Sequence, residues 1–171
     1  IVGWELAARH PGLVKSLTAL SVPHPQAFIG AIRSDPAQRE KSAYMQFFRS
    51  DPATAAAVLT REGGAALRQV YGDAVHEHDV EAYVDFFSHG DAMEASLRWY
   101  AAMDDAELTT TPEVSVPTTF VWGTDDIAIG ATAAHGALRV DREQWETEIR
   151  AQALDVARGA AWVEQVVLET R

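Results

Sequence analysis

Val116-Pro117-Thr118-Thr119-Phe120-Val121-Trp122-Gly123-Thr124-Asp125-Asp126 reads as a short strand over 116–122 that runs through a Trp-Gly turn onto two carboxylates. The β-branched and aromatic residues at 118–121 favour an extended, pleated chain. A carboxylate just past the carboxyl end of a strand is where open α/β sheets carry functional groups. The alternative for Asp125 and Asp126 is local: an Asx turn, or the N-cap of the helix expected to begin over 131–138. Both readings stay open at this point.

Upstream, residues 14–22 read as a second strand. Leu17, Ala19 and Leu20 make it largely apolar, which suits burial on both faces of a parallel sheet. A helix precedes it over 1–10, with Ile1, Trp4, Ala7 and Ala8 on one face and Pro11-Gly12 as its stop. A helix followed closely by a strand is half of a βαβ unit. The texture changes at Pro23-His24-Pro25. From there to about Asp105 the pattern is helical, with candidates over 25–33, 36–49, 52–61, 65–71, 79–88 and 92–103. Asp35-Pro36 and Asp51-Pro52 look like N-caps followed by proline at the first helical position. Gly63-Gly64, Gly72 and Gly90 are natural breaks. The expected class is therefore α/β, with two parallel strands and a helical insertion between them. From 139 to 171 the chain is charged and alanine-rich, mostly helical in pattern, with no convincing strand.

Composition narrows the function classes. Of 171 residues, 47% are hydrophobic and 23% charged, the profile of a globular protein. The formal charge is −11, from 14 basic and 25 acidic residues, which repels polyphosphate and argues against nucleic-acid binding. Cysteine is absent, which excludes disulfides, thiolate metal sites and cysteine nucleophiles and fits a cytoplasmic setting. No apolar run is long enough for a bilayer and no signal-peptide pattern is visible, so no membrane partner is expected. The chain starts at Ile1, inside what reads as a helix, and is expected to be a fragment or a processed piece.

Two tyrosines stand in aromatic helical settings: Tyr44 in Tyr44-Met45-Gln46-Phe47-Phe48, and Tyr100 in Trp99-Tyr100-Ala101-Ala102-Met103. Tyr44 shares a helix face with Phe47 and Phe48. One reading is aromatic packing with locally satisfied hydroxyls. The other is two phenol donors converging on an oxygen that gains negative charge. The histidines give less. His76-Glu77-His78 places two imidazoles two residues apart, which is not one helix face. His10 and His89 suit helix ends. His24, between prolines, reads as structural, and His135 falls in the helix after Asp126. No Gly-rich phosphate loop, His-Glu-x-x-His or Gly-x-Ser-x-Gly is present.

These features together resemble epoxide hydrolases of the α/β-hydrolase family. Ile1-Val2-Gly3-Trp4-Glu5-Leu6-Ala7-Ala8-Arg9-His10-Pro11 is similar to the helix that follows the nucleophile elbow, and Lys15 to Ser21 to the next core strand. The Tyr44 and Tyr100 segments resemble the two lid tyrosine motifs, and Trp122-Gly123-Thr124-Asp125-Asp126 the strand-end motif whose last aspartate is the triad acid. The resemblance runs over about 1–138 and implies a division into core (1–24), helical lid (25–105), core (106–138) and a divergent tail (139–171). It implies that Tyr44 and Tyr100 hold the epoxide oxygen and that Asp126, rather than Asp125, orients a histidine. The partner would be a small apolar epoxide, with no metal or organic cofactor. Haloalkane dehalogenases and esterases share the fold, and a non-catalytic binding remnant is the reading from another class. The family's His-Asp-Trp-Gly-Gly elbow would lie before Ile1. Where its His-Trp pair is expected, this chain has Gly159-Ala160-Ala161-Trp162. A reading-frame shift near Leu138 and genuine divergence are the two accounts of that departure. The chain as given is expected not to turn over, and its two strands to leave sheet edges and apolar faces exposed.

Overall fold

The computed structural model describes residues 1–72 and 75–137. The chain forms two compact units. Of the described residues, one comprises Ile1–Ser42 and 104–137; the other lies within Ala43–Met103.

In the first unit, α1 (Val2–Arg9) is followed by a single 3-10 turn at Pro11–Leu13 and by β1 (Leu17–Leu20). α2 (Pro25–Ser34) and α3 (Pro36–Lys41) come next. After the second unit the chain continues through α8 (Asp105–Leu108), β2 (Thr118–Val121) and α9 (Ala131–Gly136). β1 and β2 pair in parallel, with Leu17 opposite Thr118 and Leu20 opposite Val121. That confirms the expected parallel pair, although both strands are shorter than their apolar runs.

Trp4 holds the helix to the sheet. Its indole lies edge-on to His24 and tilted on Phe120, and its Nε1 donates to the Val22 carbonyl at 2.9 Å. Burying a side chain of this size contributes about 1.5–3 kcal/mol. The burial on both faces that the apolar run of β1 suits is corrected, and the exposed apolar face expected of a two-strand chain is seen instead: Leu20 is 68% exposed, while Leu17 and Ala19 are half-buried. Among the described residues the sheet has two strands. One face of β1 therefore stays largely uncovered among the described residues, however apolar its sequence.

α2 and α3 belong to the first unit rather than to a lid beginning at residue 25. The reason is their packing. Phe28, Ile29 and Ala31 are buried, and α9 approaches α2 so closely that a Cβ on Gly136 would stand 3.2 Å from Ala27 Cβ. The single helix expected over 36–49 is broken at Ser42, whose φ and ψ of −95° and 1° leave the helix. Both caps that precede a proline form: Asp35 accepts from the Ala37 N–H at 2.9 Å and Asp51 from the Thr54 N–H at 3.0 Å, each satisfying a backbone donor of the first helical turn.

The second unit holds α4 (Ala43–Ser50), α5 (Pro52–Tyr71), α6 (Glu77–Ser88) and α7 (Ala92–Ala102) around Ala55, Leu67, Val80, Val84, Met93 and Leu97. α5 is two helices joined at a kink, since Glu62, Gly63 and Gly64 all have positive φ. This agrees with the break expected at Gly63-Gly64. Only glycine fits at 64: φ is 73°, and a Cβ would lie 2.8 Å from Val84 Cγ1. Among the described residues no helix is long and apolar enough to cross a membrane. The tail expected over 139–171, with Gly159-Ala160-Ala161-Trp162, lies outside the described residues.

Candidate active site

The second unit brings the two tyrosines together. Their rings lie 6.0 Å apart at 80°, edge to face. Phe48 packs edge-on against both, at 5.3 Å from Tyr44 and 5.2 Å from Tyr100. The helical spacing explains this, since Phe48 lies one turn beyond Tyr44 on α4 and both face α7. Tyr100 is half-buried against the core of the unit, and Tyr44 is 38% exposed. The contact between α4 and α7 is fixed further by Arg49, whose Nε donates to the Tyr100 carbonyl at 3.2 Å. Nothing in the sequence marked Arg49 for that task.

Asp126 sits in the first unit, at the turn beyond β2. Its Oδ1 accepts from the backbone N–H groups of Ala128 and Ile129, both at 2.8 Å, and Oδ2 accepts from the Ser21 hydroxyl. The local Asx reading therefore holds for one oxygen, while the other is reached from the end of β1. Asp125 is exposed, which leaves Asp126 as the carboxylate built into the fold. The loop around it is held from several sides. Gln38, fully buried, donates to the Ala128 carbonyl at 2.8 Å and accepts from the Gly130 N–H at 2.7 Å. Lys41 Nζ donates to the Asp126 carbonyl at 2.7 Å, and Trp122 Nε1 to the Ile129 carbonyl at 3.0 Å. Sequence reading passed over Ser21, Gln38 and Lys41, because their partners lie 85–105 residues away.

His24 is structural, as expected. It is buried and caps α2, with Nδ1 accepting from the Gln26 N–H at 3.3 Å and Nε2 donating to the Pro112 carbonyl at 3.0 Å. An amide can only donate and a carbonyl only accept, so the ring is the neutral Nε2–H tautomer. Burial pushes its pKa below 6.5, against the raising effect of the Pro112 carbonyl, Glu5 and Glu113. A histidine kept neutral in the fold but free to protonate when unfolded costs stability in acid. That contribution is whole above pH 6.5, falls as the pH drops through 6.5, and levels off below the folded-state pKa. Urea unfolding of the chain and of His24→Asn between pH 7.5 and 5 checks this: the asparagine variant, still able to cap α2, loses that component of the slope. His135 is exposed on α9, edge-on to Trp122 at 6.0 Å. His76 caps α6 without a side-chain bond, and among the described residues no group of three or more metal-binding side chains gathers.

The comparisons with known proteins bear on the same segments. The chain is 25% identical to epoxide hydrolase 3 of Xenopus tropicalis over 174 residues, covering 96% of this chain and 46% of that protein. It is 28% identical to the AB hydrolase superfamily protein YfhM of Bacillus subtilis over 131 residues, covering 73% of this chain and 46% of that one. A crystal structure of an epoxide hydrolase from Bacillus megaterium superposes with a TM-score of 0.67 at 22% identity, over 81% of this chain and 54% of that chain. The chain is similar to epoxide hydrolases and shares the α/β-hydrolase fold with the Bacillus megaterium structure. It spans about half the length of the curated relatives it matches. The alignment to the Xenopus protein runs past residue 138, where the sequence resemblance was expected to end. A family model described as the middle domain of the metallophosphoesterase YhaO matches residues 128–171. That stretch begins after Asp126, lies mostly outside the described residues, and includes none of the hydrolase segments named above.

Along the chain, the helices that carry the tyrosines lie between the two paired strands, and Asp126 lies in the turn beyond the second strand.

Proposed function

We propose that this chain carries the oxygen-holding lid and the triad acid of an epoxide hydrolase. The observation that carries this reading is the edge-to-face pairing of Tyr44 and Tyr100 across two helices, with Phe48 wedged against both. In the reaction a carboxylate nucleophile attacks an epoxide carbon, the ring C–O bond breaks, and an ester forms. The two phenols donate to the ring oxygen as it becomes an alkoxide, and one passes it a proton. A histidine then activates water to cleave the ester and release the diol, while Asp126 holds that histidine in the right tautomer and stabilises its cation. The nucleophile elbow would lie before Ile1 and no histidine follows His135, so the 171-residue chain alone is expected not to turn over. The substrate is a small apolar epoxide without phosphate, consistent with the charge of −11.

The test is a chimaera in which residues 1–137 replace the aligned segment of the Bacillus megaterium epoxide hydrolase. It is expected to convert an aryl glycidyl ether to the diol, while the 171-residue chain does not. A folded chimaera with no turnover, or a chain that turns over unaided, contradicts the proposal.

A further inference from the structure

Ser21 stands where β1 ends, with φ of 63°. The left-handed region strains an ordinary L residue, costs glycine nothing, and asparagine little. The conformation is locked on both sides: the Ser21 N–H donates to the Val121 carbonyl at 2.7 Å, and the Val22 N–H donates to the Leu20 carbonyl at 2.7 Å, closing a three-residue turn around Ser21. What serine has and glycine lacks is the hydroxyl. The turn delivers that hydroxyl to Asp126 Oδ2, 105 residues away in sequence.

The geometry points to Ser21 as the positioning residue of Asp126. Among the described residues, three donors meet the four lone-pair sites of the carboxylate: the Ala128 and Ile129 N–H groups on Oδ1 and the Ser21 hydroxyl on Oδ2. Two contacts on one oxygen alone leave the carboxylate free to rock about them. A third contact on the other oxygen, from the end of the neighbouring strand, fixes its plane. The remaining lone pair of Oδ2 then keeps one direction for an incoming N–H donor. Pairing of β1 with β2 in register sets the distance, with Leu20 opposite Val121 immediately before Ser21. The inference rests on Asp126 being the acid of the proposed reaction.

Hydrogen exchange of the Ala128 and Ile129 amides in the full 171-residue chain tests it without any substrate. Ser21→Gly relieves the strain and removes the donor. It is expected to speed exchange at both amides by about ten- to a hundredfold, the range for losing one hydrogen bond to a charged group, while the unfolding midpoint stays close to that of the unaltered chain. Ser21→Asn tolerates the same φ and offers an N–H donor, so it is expected to restore slow exchange. A serine that only forms the turn would be matched or improved by glycine. Unaltered exchange in Ser21→Gly overturns the inference, and so does fast exchange in Ser21→Asn. Should the glycine variant fail to fold, the asparagine variant decides by the same criterion. Failure of the parent reading shows elsewhere, as undiminished turnover in a chimaera carrying Asp126→Asn.

Discussion

In the chimaera, Tyr44→Phe and Tyr100→Phe each lower kcat for an aryl glycidyl ether by about a hundred- to a thousandfold, the range for removing one preorganised donor to a developing oxyanion. KM changes little, because the epoxide oxygen is a weak acceptor before the ring opens and a strong one after it. Phenylalanine keeps the ring and loses only the hydroxyl, so the edge-to-face contacts among residue 44, Phe48 and residue 100 survive. The unfolding midpoint accordingly moves little, which separates this result from a packing defect. Steady-state kinetics and a melting curve on the same preparations check both parts. Equal losses in kcat and midpoint would assign the tyrosines to the core of the helical unit instead.

Asp126→Asn in the chimaera lowers kcat by a factor on the order of ten thousand, the size seen when a triad carboxylate is replaced by its amide. The fold is kept. The asparagine Oδ1 still accepts from the Ala128 and Ile129 N–H groups, and the Ser21 hydroxyl can accept from the new amide instead of donating to a carboxylate. What disappears is the charge that stabilises an imidazolium and the acceptor that selects its tautomer. Asp126→Ala removes all three contacts and costs stability as well, about 1–3 kcal/mol. A chimaera with Asp126→Asn that turns over at the unaltered rate would leave Asp126 with only its turn-forming role.

How much of this could be read from residues alone differs from element to element. The strand over 116–122 and its parallel partner were legible, because β-branched and apolar runs bounded by proline and glycine leave few alternatives. The degree of burial was not: Leu20 is written like a core residue, yet whether a strand face is covered depends on neighbours that its own sequence does not contain. The caps at Asp35 and Asp51 and the break at Gly63-Gly64 followed from local chemistry, and the structure has them. The interruption at Ser42 and the packing of α2 and α3 with the core unit came from tertiary contacts, above all the bonds of Gln38 to Ala128 and Gly130. In the site, the tyrosines were visible as residue types on helices, but their meeting at 6.0 Å depends on how α4 and α7 cross. Ser21 carried no signal at all, since a positive φ at a serine and a bond spanning 105 residues leave no periodicity to find.

The central claim is that two phenols share one reacting oxygen. Single-turnover ring opening by the chimaera carrying both Tyr44→Phe and Tyr100→Phe tests it most directly, because two donors to one atom act as a unit. The account predicts that the double variant loses essentially all measurable ring opening, while its unfolding midpoint stays near that of the unaltered chimaera. Ring opening that persists at the rate of the unaltered chimaera would contradict it.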